Sequence, residues 1–172
     1  MKCGHRISRK VPAGDHRERY ICESCREIHY QNPKIVVGCV PEQDGSILLC
    51  RRAIEPRRGF WTVPAGFMEL GETIAEGAAR ETREEACAEV EIGRLFASVD
   101  VVEAGQVHLF FAATLVGGYG VGEETLETAL FRKEEIPWDE IAFLSGRFAL
   151  KKFLEDAGCN NGVHLHRVRH GE

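Results

Sequence analysis

Six glutamates and two arginines crowd into residues 66–88, GFMELGETIAEGAARETREEACA. On a helix over residues 73–90, turning about 100° per residue, Glu81, Glu84 and Glu85 fall on one stripe at i, i+3 and i+4. Gly77 and Ala88 share that stripe and leave it sterically open. Ala75, Ala79, Thr82, Ala86 and Val90 form the opposite stripe, small enough to pack closely on a sheet. Glu76, Arg80 and Glu84 stand four apart, so Arg80 can pair along the helix. A solvated acidic face is the plain explanation, but no arginine alternates through the stripe to neutralise it. Hard oxygen ligands grouped this way suit Mg²⁺ or Mn²⁺, which bind through a few carboxylates plus substrate phosphates.

The elements that must position these carboxylates follow from the flanking pattern. KIVVGCV (34–40) and SILLCRR (46–52) are strands around turn chemistry at Pro41–Gly45, and FWTVPAG (60–66) is a short strand. RLFASVDVVEA (94–104) and QVHLFFAATLVGG (106–118) are two further strands, and TALFRKEEI (128–136) another. Residues 145–158 read as an amphipathic helix with Ser145 at its N-cap and Gly158 at its end. The tail 159–172, with His164, His166 and His170, reads as a solvated, partly disordered segment. The order of elements is that of an α+β sandwich, a mixed sheet with helices on its faces.

Residues 1–32 are different in kind. They are polar and carry Cys3, Cys22 and Cys25. Cys22-Glu-Ser-Cys25 is a C-x-x-C knuckle, and Cys3-Gly4 matches the second half of another. A segment this polar needs a staple to fold, and Zn²⁺ is the expected one. The partner of Cys3 in a second knuckle would precede Met1, so either the start lies upstream or His5 or His29 completes the site. The expected organisation is a zinc-ribbon-like segment (1–32), a catalytic domain (33–158) and a C-terminal tail (159–172).

The acidic stretch resembles the Nudix box, the signature of hydrolases acting on a nucleoside diphosphate linked to another moiety. Five residues separate Gly66 from Glu72, and seven more separate Glu72 from Arg80-Glu81; Glu84-Glu85 and Ala88 complete the pattern. Thr82 stands at an apolar position and Cys87 where the family usually has Gly, and neither removes a ligand. The resemblance implies a Nudix-type α/β/α sandwich in which Glu81, Glu84 and Glu85 hold Mg²⁺ or Mn²⁺, with the Gly66 carbonyl as a further ligand. It implies that Arg80 and Glu72 pair to hold the loop against the helix. It also implies a distant carboxylate as base or extra ligand, for which Glu124 and Glu127 are the candidates, with Glu123 behind them. The cysteine segment, the YQNPKIVVGCV junction and IPWDEIAF (136–143) are similar to the zinc-ribbon-bearing branch, whose substrates include ADP-ribose, FAD and NADH. Residues 89–106 lack the Pro- and Gln-containing motif of the NADH-specific members, which favours ADP-ribose or FAD. Many family members form homodimers, though no residue pattern here requires one.

Around that site, Arg51 and Arg52 end a strand and could meet phosphates. Phe60 and Trp61 could stack on an adenine or flavin ring, or equally fill the core of the sheet. The chain of 172 residues carries a formal net charge of −5. This argues against a general nucleic-acid binder, which usually shows a basic face. No apolar run approaches the ~20 residues of a membrane span. The N-terminus has no signal-peptide h-region, and seven cysteines without a secretory context do not suggest a disulfide framework. A cytosolic enzyme acting on a small nucleotide diphosphate is the expectation. The rivals are a nucleotide-binding module that does not hydrolyse, and a zinc-ribbon adaptor for nucleic acid or protein.

Overall fold

A mixed sheet splits open at its centre, and the split places the glutamates. In the computed structural model, which describes residues 6–168, the chain forms two units, residues 1–33 and 34–172. The first is a three-stranded antiparallel meander of β1 (Ile7–Lys10), β2 (Arg19–Cys22) and β3 (Ile28–His29). Cys22 and Cys25 flank a tight turn in which the Cys22 N–H donates to the Glu27 carbonyl at 3.0 Å and the Arg26 N–H to the Cys22 carbonyl at 2.9 Å. Arg26, just past the knuckle, takes a left-handed φ of 59°. The turn leaves Cys22 buried and Cys25 exposed. Cys3, His5 and His170 lie outside the described residues.

The second unit is built on β4 (Lys34–Gln43), β5 (Ser46–Arg52), β8 (Glu89–Val101), β9 (Gln106–Val116), β10 (Thr125–Arg132) and β11 (His164–Arg167). Their spatial order is β10-β5-β4-β9-β8-β11. β4 runs parallel to β9, from Lys34 opposite Gln106 to Glu42 opposite Thr114. β4 and β5 pair only at their turn, Glu42 with Ile47 and Gln43 with Ser46. Beyond it they diverge, and two short strands fill the gap: β6 (Trp61–Thr62) pairs with β5 and β7 (Ala65–Phe67) with β4. Gly38 has to be glycine here, since a Cβ would collide with Ala65 and the Pro64 carbonyl.

Alternation along the strands loads both faces. Ile47 and Leu49 join Val40, Val63, Phe96, Phe110 and Leu150 in one core cluster, beneath α2 (Leu144–Asp156). Leu48 and Cys50 point the other way and pack with Ala86, Ala88 and Leu115, beside a patch of Val37, Cys39, Ala78 and Phe111 beneath α1 (Ile74–Ala86). The result is the expected α/β/α sandwich.

Several boundaries differ from expectation. α1 ends at Ala86, not residue 90, because Cys87 takes a left-handed φ of 47° and caps it; Ala88 is then a buried core residue and Val90 belongs to β8. Ser145 is not an N-cap: Phe143 holds that position, with no side-chain cap, and Ala157 rather than Gly158 ends α2. Residues 164–167, expected in a solvated tail, form an edge strand parallel to β8, with His164 opposite Ala97. Asp156 is the reason. Its buried carboxylate meets Arg94, Asn161 Nδ2 at 2.8 Å and His164 Nε2 at 2.9 Å. Burial alone would raise its pKa, but these donors outweigh it and hold the carboxyl down at about 2. His166 stacks on Phe148 at 4.4 Å.

Candidate active site

α1 is fixed at both ends and along one side. Thr73 accepts from the Glu76 N–H at 3.2 Å while Glu76 accepts from the Thr73 N–H at 2.7 Å, a capping box that contributes about 1 kcal/mol. Glu76 is therefore committed to the cap and does not pair with Arg80. Thr82 is fully buried: its hydroxyl donates to the Ala78 carbonyl at 2.8 Å and accepts from the Cys39 thiol at 3.1 Å. Burial pushes the Cys39 pKa up to about 12, so it stays a thiol. The polar residue at an apolar box position thus has partners for its hydroxyl.

Arg80 holds the box together. It grips Glu72 through two hydrogen bonds, from Nε at 3.0 Å and Nη2 at 2.9 Å, and donates from Nη2 to the Phe67 carbonyl at 3.0 Å. Its Nη1 reaches Glu81 at 2.7 Å and Glu84 at 3.0 Å. The bidentate pair holds the Glu72 carboxyl down at about 2. Gly77 does not keep the acidic stripe open; it allows α1 to approach Val37 and Glu72, where a Cβ would clash. Gly66 serves the same purpose against Glu81, whose carboxylate fills the space of its missing side chain.

The acidic stripe lines a cleft, with Glu84 at its exposed edge. Glu81 is only 9% exposed, and burial raises its pKa despite the Arg80 contacts. Glu85, one turn on, is half-buried. Burial, with the charges of Glu81 and Glu124, pushes its pKa up to about 8, against the Ala65 N–H at 3.2 Å and the more distant Arg52. The carboxylates line a cleft of about 1190 Å³ with Gly66, Arg52 and Glu124. Its other walls are the loop at Ile54–Arg57, the inward residues Gln106, His108 and Phe110 of β9, and Phe143 to Gly146 at the start of α2.

The candidates separate on this geometry. Glu123 and Glu124 line the cleft, and Glu124 acts electrostatically on Glu85. Glu127 does not line it; it sits on β10 opposite Arg51 and pairs with Arg51 Nη1 at 3.4 Å. Arg52 lines the cleft, its guanidinium 4.9 Å above the Phe143 ring and its Nε donating to the Pro56 carbonyl at 2.9 Å. Arg51, Phe60 and Trp61 are not brought to it. Trp61 is buried edge-on against Phe131 at 4.9 Å, and Phe60 lies beneath Arg57 at 5.3 Å. Of the two readings of Trp61, the core one holds.

A second constellation was only partly signalled by the sequence. His108 Nδ1 is 2.9 Å from the Ser145 hydroxyl and its Nε2 is 2.8 Å from Gln106 Oε1. An N–H toward the Gln106 oxygen leaves Nδ1 to accept from Ser145. Burial lowers the His108 pKa to about 4, so the imidazole is neutral at physiological pH. Gln106 and His108 share a strand face at spacing two, which was legible, but Ser145 is 37 residues further on.

The donor set fits a hard divalent cation. Two carboxylates are held in a desolvated wall that raises their pKa values, beside a backbone-rich loop, and a cation would reverse that cost. Among the described residues, no three of these side chains converge as a ready ligand cluster, because Arg80 draws Glu81 and Glu84 to itself.

Comparison with known proteins agrees with this geometry. The NUDIX domain model matches residues 32–157, and a Nudix N-terminal model matches residues 1–31. The chain belongs to the Nudix family of hydrolases. A NUDIX hydrolase from Nitrosomonas europaea is 47% identical, with a TM-score of 0.93 over 97% of this chain and 96% of that one. An ADP-ribose pyrophosphatase of Methanocaldococcus jannaschii is 31% identical over 113 residues, 63% of this chain and 67% of that protein. A NAD-capped RNA hydrolase NudC of Salmonella heidelberg is 34% identical over 121 residues, 68% of this chain. The chain spans 46% of that relative's length.

Proposed function

We propose that this hydrolase cleaves the diphosphate linkage of ADP-ribose, giving AMP and ribose 5-phosphate. The observation that carries the reading is that Glu81, which is buried, and Glu85, which is half-buried, line one cleft together with Glu124 and Arg52. Mg²⁺ or Mn²⁺, held by Glu81, Glu84, Glu85 and the Gly66 backbone, would neutralise the diphosphate and supply an activated water. The chain's own side chains do the remaining work. Arg80, anchored on Glu72, keeps the box loop against α1 and sets the position of Glu81 and Glu84. Glu124, the distal carboxylate of this reading, accepts the proton of the attacking water or adds an oxygen ligand. Arg52, spread over Phe143, meets a phosphate from the opposite wall. The neutral Gln106–His108–Ser145 row offers a fixed imidazole face and hydrogen bonds to the part of the substrate remote from the phosphates.

The Methanocaldococcus relative supports ADP-ribose. The NudC matches favour a second reading, an NAD(H)-type dinucleotide cut at the same linkage, and FAD shares the AMP half. Zn²⁺, held by Cys22 and Cys25 with Cys3, is the proposed staple of the N-terminal unit. The test is a product assay on ADP-ribose, NADH and FAD with Mg²⁺: ADP-ribose is expected to be turned over with the highest kcat/KM. A preference for NADH would transfer the reading to the dinucleotides.

A further inference from the structure

The net charge of −5 is the sum over two units of opposite sign. Residues 1–33 hold seven of the 22 basic residues and four of the 27 acidic ones, which leaves +3 there and −8 on residues 34–172. An argument from total charge therefore does not reach the N-terminal unit. That unit also has its own groove, of about 460 Å³, lined by Arg9, Arg17, Arg19, Tyr20, His29 and Gln31, with Glu18 as its one acid.

The strand register orders the groove. Arg9 stands opposite Tyr20 and Tyr20 opposite His29, so a cation, an aromatic ring and an imidazole lie abreast across the three strands. Tyr20 is 40% exposed although it sits on the central strand. The acids present are partly used internally: Asp15 binds Arg19 at 2.9 Å and Glu18 binds Arg9 at 3.1 Å. Arg19 in turn lies 5.2 Å over the Tyr30 ring, a built wall rather than a loose side chain. Arg17 makes no side-chain ion pair among the described residues.

We propose that this groove binds a single-stranded polynucleotide. Tyr20 stacks a base, Arg17 and Arg9 meet consecutive phosphates, and His29 and Gln31 hydrogen-bond the sugar or base edge. A sheet that presents an exposed aromatic between basic side chains is how sequence-tolerant single-strand platforms work. The row is too short to read a sequence, so the site recognises backbone and base faces. It shares no lining residue with the cleft, and the proposal does not rest on the ADP-ribose reading.

The test uses the full chain and fluorescent oligo-U, oligo-dT and UMP, the oligomers roughly ten nucleotides long, at about 50 mM salt without divalent cation. Binding of the oligomers but not of UMP is expected, with affinity falling as salt rises. Arg17→Glu should weaken it roughly tenfold and flatten the salt dependence by about one phosphate contact. Tyr20→Ser should weaken it with the salt dependence unchanged. Both variants should hydrolyse the enzyme's small diphosphate substrate at the parent rate, which also reports an intact catalytic unit. RNA and DNA binding equally identifies backbone recognition, and RNA alone identifies the 2′-hydroxyl as a contact. Equal binding of UMP, no binding of either oligomer, or Arg17→Glu at parental affinity with unchanged melting would overturn the proposal.

Discussion

Glu85 is the most consequential single side chain. A carboxyl at about 8 in the folded protein favours the proton more than in the unfolded chain, where the value is about 4.3. The metal-free fold is therefore most stable below that ordinary value and loses stability as pH rises from there through 8. Glu85→Gln removes the loss. In metal-free buffer the variant should melt above the parent at pH 8 and level with it near about pH 4, by scanning calorimetry. His108 has the opposite sign. Its neutral form is favoured in the fold, so its contribution is present above about 6.5 and lost as pH falls toward 4. Replacement of His108 by Gln should flatten that acid limb and raise KM roughly fivefold, the worth of one neutral hydrogen bond, with kcat little changed. A fall in kcat with KM unchanged would place His108 in the chemistry instead.

At the scale of elements, the end of α1 and the loop beyond it act together. The Gly120 N–H donates to the Ala86 carbonyl at 2.7 Å and the Gly122 N–H to the Glu85 carbonyl at 3.1 Å, so the loop both caps the helix and delivers Glu124. A Cβ on Gly122 would strike the Glu84 carbonyl. Gly122→Ala should cost about 2 kcal/mol in denaturant melts and depress kcat, because Glu124 moves with the loop. Cys87→Gly should act the other way, relieving a left-handed non-glycine residue for up to about 1 kcal/mol of stability without altering activity. The stripe of Glu81, Glu84 and Glu85 was legible because helical spacing is a local property. The helix end was not, since 3.6-residue periodicity runs through Ala88 and Val90 while Cys87 turns the chain aside. The Asp156 cluster that orders His164, and the pairing of Ser145 with His108, depend on residues brought together from distant parts of the chain. Side-chain type alone could not reveal them, and Ser145 offered the more familiar role of a helix cap.

For the whole molecule, the two units differ in what holds them. Residues 34–168 have a sandwich core on both faces of the sheet, whereas the N-terminal unit is a small meander around a two-cysteine turn. With Zn²⁺ as the proposed staple, chelation should unfold the N-terminal unit alone, seen as loss of amide protection confined to residues 6–31, while hydrolysis of a small substrate continues. Global loss of protection would contradict that division. The opposite charges of the two units, basic over residues 1–33 and acidic over residues 34–172, were present in the sequence but hidden by taking charge over the full length. The central claim is that the cleft-lining carboxylates of α1 serve a cation that acts on a nucleotide diphosphate. Its most direct measurement is product release from ADP-ribose by the parent and by Glu85→Gln at saturating Mg²⁺. The account predicts AMP and ribose 5-phosphate from the parent and a loss of about a thousandfold or more in kcat for the variant, with its fold intact. Near-parental turnover by Glu85→Gln would contradict it.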